Sequence, residues 1–189
     1  AASDVYKRQS YVQLAEKHIP DLKKYISSTG SPMYYTARLV KEKHPDAKVV
    51  FIGPCVAKRK EVKMDPAVDF TLTFEEIGSV LEGLGIKVEE AKPFSVLYNS
   101  VREAHGFAQS GGVINAVKVY LKEEQVKAVQ VASLTKKSVA LLRAYAKTGK
   151  APAQFIEVMA CEGGCVTGPC IHADKVTGQK QLIKELTKF

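Results

Sequence analysis

A chain of 189 residues that is 46% hydrophobic and 25% charged lies in the globular range and can bury one ordinary core. No apolar run approaches the roughly 20 residues a membrane-crossing helix needs, and residues 1–9 lack the pattern of a secretory leader, so a cytoplasmic protein without a membrane partner is expected. The net charge of +8 is spread over lysines along predicted helices without a nucleic-acid-binding motif, which argues for solvated helix faces and against a nucleic-acid partner.

In chain order, residues 1–9 join no periodic pattern and read as a non-family tail, leaving 10–189 as the domain. Tyr11, Val12, Leu14, Ala15 and Ile19 have helical spacing up to Pro20, which ends or kinks that helix. Ser31 followed by Pro32 marks the cap and first turn of a second helix, running to about Lys43. Lys48 to Ile52 is a short β-branched run, hence a buried strand. About twenty residues then connect to the next helix, a length that signals function or a hidden short helix. The capping box at Thr73-Phe74-Glu75-Glu76 opens a helix closing near Gly85, and a strand is expected near Lys87 to Glu90. Ser110-Gly111-Gly112 opens a helix through Tyr120. Strand Val126 to Ala132, helix Thr135 to Lys147 with Gly149 beyond it, strand Phe155 to Met159 and a last helix from Gln179 to Lys188 complete the chain. This alternation predicts an α/β fold with mainly parallel sheets flanked by helices.

Four cysteines stand at 55, 161, 165 and 170, three of them within ten residues, which is not the layout of a disulfide scaffold. Cys55 follows the strand ending at Ile52, while Cys161 and Cys165 follow the strand ending at Met159. In a parallel sheet, ligands gather at the carboxyl ends of strands, so both thiol loops should leave the same edge. A spacing of four brings Cys161 and Cys165 to one side of a helical turn, and the glycines between them permit close backbone approach to a bulky core. Spacing alone leaves an iron–sulfur cluster, zinc and small buried hydrophobes all open.

Gly53-Pro54-Cys55-Val56-Ala57-Lys58-Arg59-Lys60-Glu61 resembles the Pro-Cys-x-x-Lys-x-x-Glu signature of iron-only hydrogenases. Glu157-Val158-Met159-Ala160-Cys161-Glu162-Gly163-Gly164-Cys165 resembles a further signature of that family, in the family's order, with Ser110-Gly111-Gly112 as the helix opening between them. The resemblance implies a partial hydrogenase active-site domain holding a 4Fe-4S cluster, with Cys55 and Cys161 as ligands and Cys165 bridging to a di-iron unit. It implies that Lys58 contacts a cyanide of that unit and Met159 lines its pocket; residue type alone makes Lys58 a surface lysine and Met159 core. Glu61 matches the end of its signature and is expected to pair with a nearby Lys or Arg. The implied activity is reversible proton reduction to hydrogen, with ferredoxin or a linked ferredoxin-like cluster domain as electron partner. A hydrogen or redox sensor and an iron–sulfur binding or assembly protein are the alternatives.

The match breaks at the start, where the family's Cys-Pro signature falls in register with Lys7-Arg8-Gln9. The fourth thiolate and the proton-carrying cysteine are therefore missing, and the chain reads as truncated. Gly53 stands where the enzymes have methionine, and Gly168-Pro169-Cys170 replaces a glycine-rich ending, changes that resemble a divergent, sensory branch. Cys170 is an alternative fourth donor.

Overall fold

The computed structural model describes residues 4–5, 9–92, 102–121 and 126–188. Its strands are β1 (Asp4–Val5), β2 (Val50–Gly53), β3 (Phe70–Thr73), β4 (Ala128–Val131) and β5 (Phe155–Val158). Its helices are α1 (Gln9–His18), α2 (Pro32–Lys43), α3 (Lys58–Met64), α4 (Phe74–Gly83), α5 (Arg102–His105), α6 (Gly112–Leu121), α7 (Lys136–Thr148) and α8 (Lys175–Leu186). The strands form two sheets, one ordered β1-β5-β4 and the other pairing β2 with β3, and every pairing is parallel. The α/β, mainly parallel architecture is thus the one the alternation predicts.

Local chemistry sets the helix ends. The Ser31 hydroxyl accepts from the Tyr34 N–H at the start of α2, and Pro32 occupies the first turn. Thr73 and Glu76 close a reciprocal capping box on α4. Gly149 ends α7 in the left-handed conformation at φ 65°, which glycine adopts without steric cost.

Each sheet has its own core. Tyr11 and Ala15 of α1, with Ile19 and Leu22 beyond it, pack with Leu142 and Ala146 of α7 onto Val131, Ile156 and Val158. Met33 and Ala37 of α2 pack with Val62 of α3 and Val68 near β2 and β3. Burying each of the larger side chains contributes about 1.5–3 kcal/mol.

Five expectations change. β2, expected to be a buried strand, leaves Val50 and Ile52 exposed, because β3 covers one edge of it and not both faces. The long connection does hide a helix, α3, but it also carries β3, a strand the sequence reading did not foresee. β3 exists through its register with β2, and the Asp69 carboxylate accepts from the Val49 N–H at 2.8 Å to bring the two together. Lys87 to Glu90 is not a strand: Val88–Glu90 form one 3-10 turn, closed by the Glu90 N–H to Lys87 carbonyl bond and a local Lys87–Glu90 ion pair at 2.9 Å. α8 begins at Lys175 instead of Gln179, because the Asp174 carboxylate accepts from the Val176 and Thr177 N–H groups. Within the tail, Asp4 and Val5 pair with Phe155 and Ile156, while residues 1–3 and 6–8 lie outside the described residues.

Candidate metal centre

Three of the four thiols stand on loops that leave β2 and β5, and these strands belong to separate sheets, not to the one shared edge expected from the sequence. Cys55 sits between β2 and α3, and its carbonyl accepts from the Lys58 N–H at 3.2 Å, so the loop turns directly into the helix. Cys161 and Cys165 follow β5, whose direction is extended to Met159 by a bond from the Met159 N–H to the Val131 carbonyl at 2.8 Å.

The second loop is not the helical turn expected from the four-residue spacing. The Gly164 N–H donates to the Cys161 carbonyl at 3.1 Å in a tight turn, with Gly163 at φ 84° and Gly164 at φ 106°, backbone that side-chain-bearing residues rarely adopt. The Thr167 hydroxyl donates to the Glu162 and Gly164 carbonyls and pins the turn. A Cβ on Gly164 would strike the Ala108 carbonyl and lie 2.7 Å from the Ser110 nitrogen, so only glycine lets the turn lie against the loop before α6.

The two thiol loops meet. A Cβ on Gly168 would stand 2.7 Å from the Pro54 carbonyl, which also accepts from the Cys170 N–H at 3.3 Å. A third support comes from Glu157, fully buried on β5, whose two oxygens accept from the Gly111 N–H at 3.1 Å and the Ile114 N–H at 3.0 Å. This carboxylate fastens the start of α6 to the strand that leads into Cys161, and its charge complements the helix N-terminus. The sequence reading quoted Glu157 only as part of a signature. Its partners lie more than forty residues away, and no local pattern announces them.

Cys55, Cys161 and Cys165 line one cavity of about 200 Å³, together with Lys58, Met159, Phe51 and Met33. Lys58 is 20% exposed, and its ammonium donates to Glu61 Oε2 at 2.6 Å and stands 5.6 Å from the Phe51 ring centroid. Met159 is buried as well as lining the cavity, so its core and pocket roles coincide. Burial pushes the Cys161 thiol up, and the nearby Cys165 and Cys55 push it further in the same direction while Lys175 opposes them. A cationic core bound among these sulfurs would offset that effect on Cys161 and favour its thiolate.

Cys170 goes elsewhere. It is buried but absent from the cavity lining, with its thiol pushed up by burial and then by Glu75. Among the described residues, no three His, Cys, Asp or Glu side chains are arranged to hold a single metal ion. Three soft thiolate donors spread around one cavity fit a polynuclear iron–sulfur core.

The chain is similar to known proteins in sequence and in fold. The family described as iron only hydrogenase large subunit, C-terminal domain, matches residues 9–169. The periplasmic [Fe] hydrogenase large subunit of Nitratidesulfovibrio vulgaris is 29% identical over 200 residues, covering 82% of this chain and 48% of that protein. A variant of the [FeFe]-hydrogenase HydA1 from Chlamydomonas reinhardtii superposes with a TM-score of 0.69 at 19% identity, over 98% of this chain and 65% of that one. HydA(deltaEFG), a structure concerned with stepwise H-cluster assembly, gives 0.67 at 19% identity, with the same two coverages. The chain therefore spans about half the length of the curated relative and under two thirds of the structural ones.

Proposed function

The chain belongs to the iron-only hydrogenase family, in the C-terminal domain of the large subunit, and from that we propose that its thiol cavity is an H-cluster-type site in which Cys55, Cys161 and Cys165 ligate a 4Fe-4S cluster. The observation that carries this reading is the convergence of three cysteines from two strand-end loops on one cavity. Cys165 would hold a di-iron unit as well as the cluster. The Lys58 ammonium offers hydrogen-bond donors to an anionic ligand of that unit, and Met159 with Phe51 excludes water from the same wall. When bound, the group supplies the electrons and the proton-reducing metal centre for reversible hydrogen formation; this chain supplies ligation, orientation and a partly dry cavity. Ferredoxin or a linked ferredoxin-like cluster domain is the electron partner, and a reducing cytoplasm keeps the thiols free.

The test is anaerobic reconstitution with iron and sulfide, reading iron bound per chain. Cys161→Ser should lower iron by at least half, whereas Cys170→Ser should leave it within about a fifth of the parent, since Cys170 is outside the cavity. Equal loss from both variants, or none from Cys161→Ser, rejects the ligand set. A hydrogen or redox sensor, or an iron–sulfur binding or assembly role, is favoured by one observation: the fourth cysteine of the chain does not reach the cavity. Hydrogen evolution by a loaded variant in which a Cys-Pro loop replaces residues 1–9, restoring the fourth thiolate, would separate that reading from catalysis.

A further inference from the structure

Lys58 and Glu61 are three residues apart on α3, a pairing that by itself contributes little. What distinguishes it is a third member from another helix. The Ser31 hydroxyl, at the start of α2 and thirty residues from Glu61, donates to Glu61 Oε1, so one oxygen of the carboxylate is held by Ser31 and the other by the neighbouring ammonium. Ser31 is 3% exposed, Glu61 17%. Ser31 is itself anchored as the α2 cap, so it cannot follow Glu61 into solvent.

The position of this chain of bonds is informative. Outside the thiol cavity lies a second, polar pocket of about 410 Å³ lined by Glu16, Arg38, Glu61 and Asp65. Ser31 and Gln9 line both spaces, Glu61 only the outer one and Lys58 only the inner one. The carboxylate thus grips the ammonium from behind, leaving the remaining N–H donors of Lys58 to the thiol side. A lysine side chain loses several rotatable bonds' worth of freedom when held so, and an unheld one would extend toward the wetter pocket.

We propose that Glu61 and Ser31 are positioning residues that hold the Lys58 ammonium against the wall of the thiol cavity, making that wall selective for anionic ligands. The assignment rests on the cluster reading and deepens it.

The experiment uses the full chain, reduced and free of metal, and compares alkylation of the cavity thiols by iodoacetate, an anion, and iodoacetamide, its neutral analogue, with the modified cysteines located by peptide mass spectrometry. The ratio of the two rates cancels changes in thiolate population, because both reagents need the same thiolate. A cation held in the wall of the cavity that the three thiols line should favour the anion by about three- to tenfold at low salt. Lys58→Met sets the floor. Ser31→Ala, which changes no charge, should fall toward that floor, and Ser31→Thr, which keeps the cap and the hydroxyl, should recover most of the parent ratio. Glu61→Gln discriminates most sharply: a carboxylate that merely offsets the lysine would, when removed, raise the anion preference, whereas loss of a positioning group lowers it. A rise in Glu61→Gln, or a parent ratio in Ser31→Ala, overturns the proposal. The iodoacetamide rate alone shows whether each variant keeps the cavity, and Ser31→Thr and Glu61→Asp serve if Ser31→Ala unfolds, with recovery in the first and a lowered ratio in the second expected. Should the ratios behave as expected while iron fails to bind, the cluster reading falls and the positioning of Lys58 stands.

Discussion

Replacing Glu157 tests the support of the thiol loop from its most buried point. Its two oxygens each accept one backbone N–H, from Gly111 and Ile114, at a helix start, and the side chain is fully buried. A hydrogen bond to a charged acceptor is worth about 1.5–3 kcal/mol, and a buried donor left without a partner costs a similar amount. Glu157→Gln keeps one accepting oxygen and turns an amide donor toward the other N–H, so it should destabilise the chain by about 2–3 kcal/mol. Glu157→Ala loses both acceptors and leaves a void, for about 3–5 kcal/mol, near the upper end of single-site effects. Urea unfolding followed by far-ultraviolet circular dichroism measures both, with tyrosine emission as a second probe in a chain that has eight tyrosines and no tryptophan. Cys165 should also become more reactive, since the segment before α6 holds its loop through the Gln109–Gly164 bridge and the Ser110 N–H to Gly163 carbonyl bond. A Glu157→Gln variant within 0.5 kcal/mol of the parent would refute the claim that the carboxylate fastens α6 to β5.

Gly164→Ala should cost about 2–4 kcal/mol and lower iron uptake, because the new methyl meets backbone at Ala108 and Ser110 in a conformation at φ 106°; the check is urea unfolding beside iron content. Tyr11, with its hydroxyl buried and unpartnered among the described residues, is pushed up to about 12 by burial. Its folded value lies above the unfolded one, so the stability it represents is intact below about pH 10 and is lost as pH rises toward 12. Tyr11→Phe should be neutral or up to about 1 kcal/mol more stable at pH 7 and should lack that alkaline loss, as read by unfolding across pH 8 to 12. Asp69 is held well below the usual carboxylate range by the Val49 N–H, then by Lys41, with Lys48 adding to both. Its contribution is present above about pH 4 and fades as pH falls, so the stability gap between parent and Asp69→Asn should narrow in acid. Even when reconstituted with iron, sulfide and a di-iron precursor, the chain is expected to evolve no measurable hydrogen, because three thiolates leave one iron of a 4Fe-4S core without a protein ligand; gas chromatography of the headspace decides it.

Much of this protein is written locally. Ser31-Pro32, the Thr73 capping box and Gly149 each act within one helical turn, and backbone satisfaction at a helix end requires nothing farther away. The thiols were legible as residues of loops that follow strands, but not how the loops meet: β2 and β5 lie in separate sheets, and only the packing of those sheets brings Cys55 beside Cys161 and Cys165. Tertiary structure alone decided the rest. Phe70–Thr73 becomes a strand only by register with Val50–Gly53, and Lys87 to Glu90, equally short, finds no such partner and curls into a turn. Cys170 lies five residues from Cys165, yet the chain turns it away from the cavity, while Ser31 and Glu61, thirty apart, meet behind Lys58. Glu157 reads as one polar residue in an apolar strand until α6 is placed against it. Sequence spacing reports which groups share a turn or a strand face; which groups share a cavity depends on chain paths that only the packed sheets and helices define.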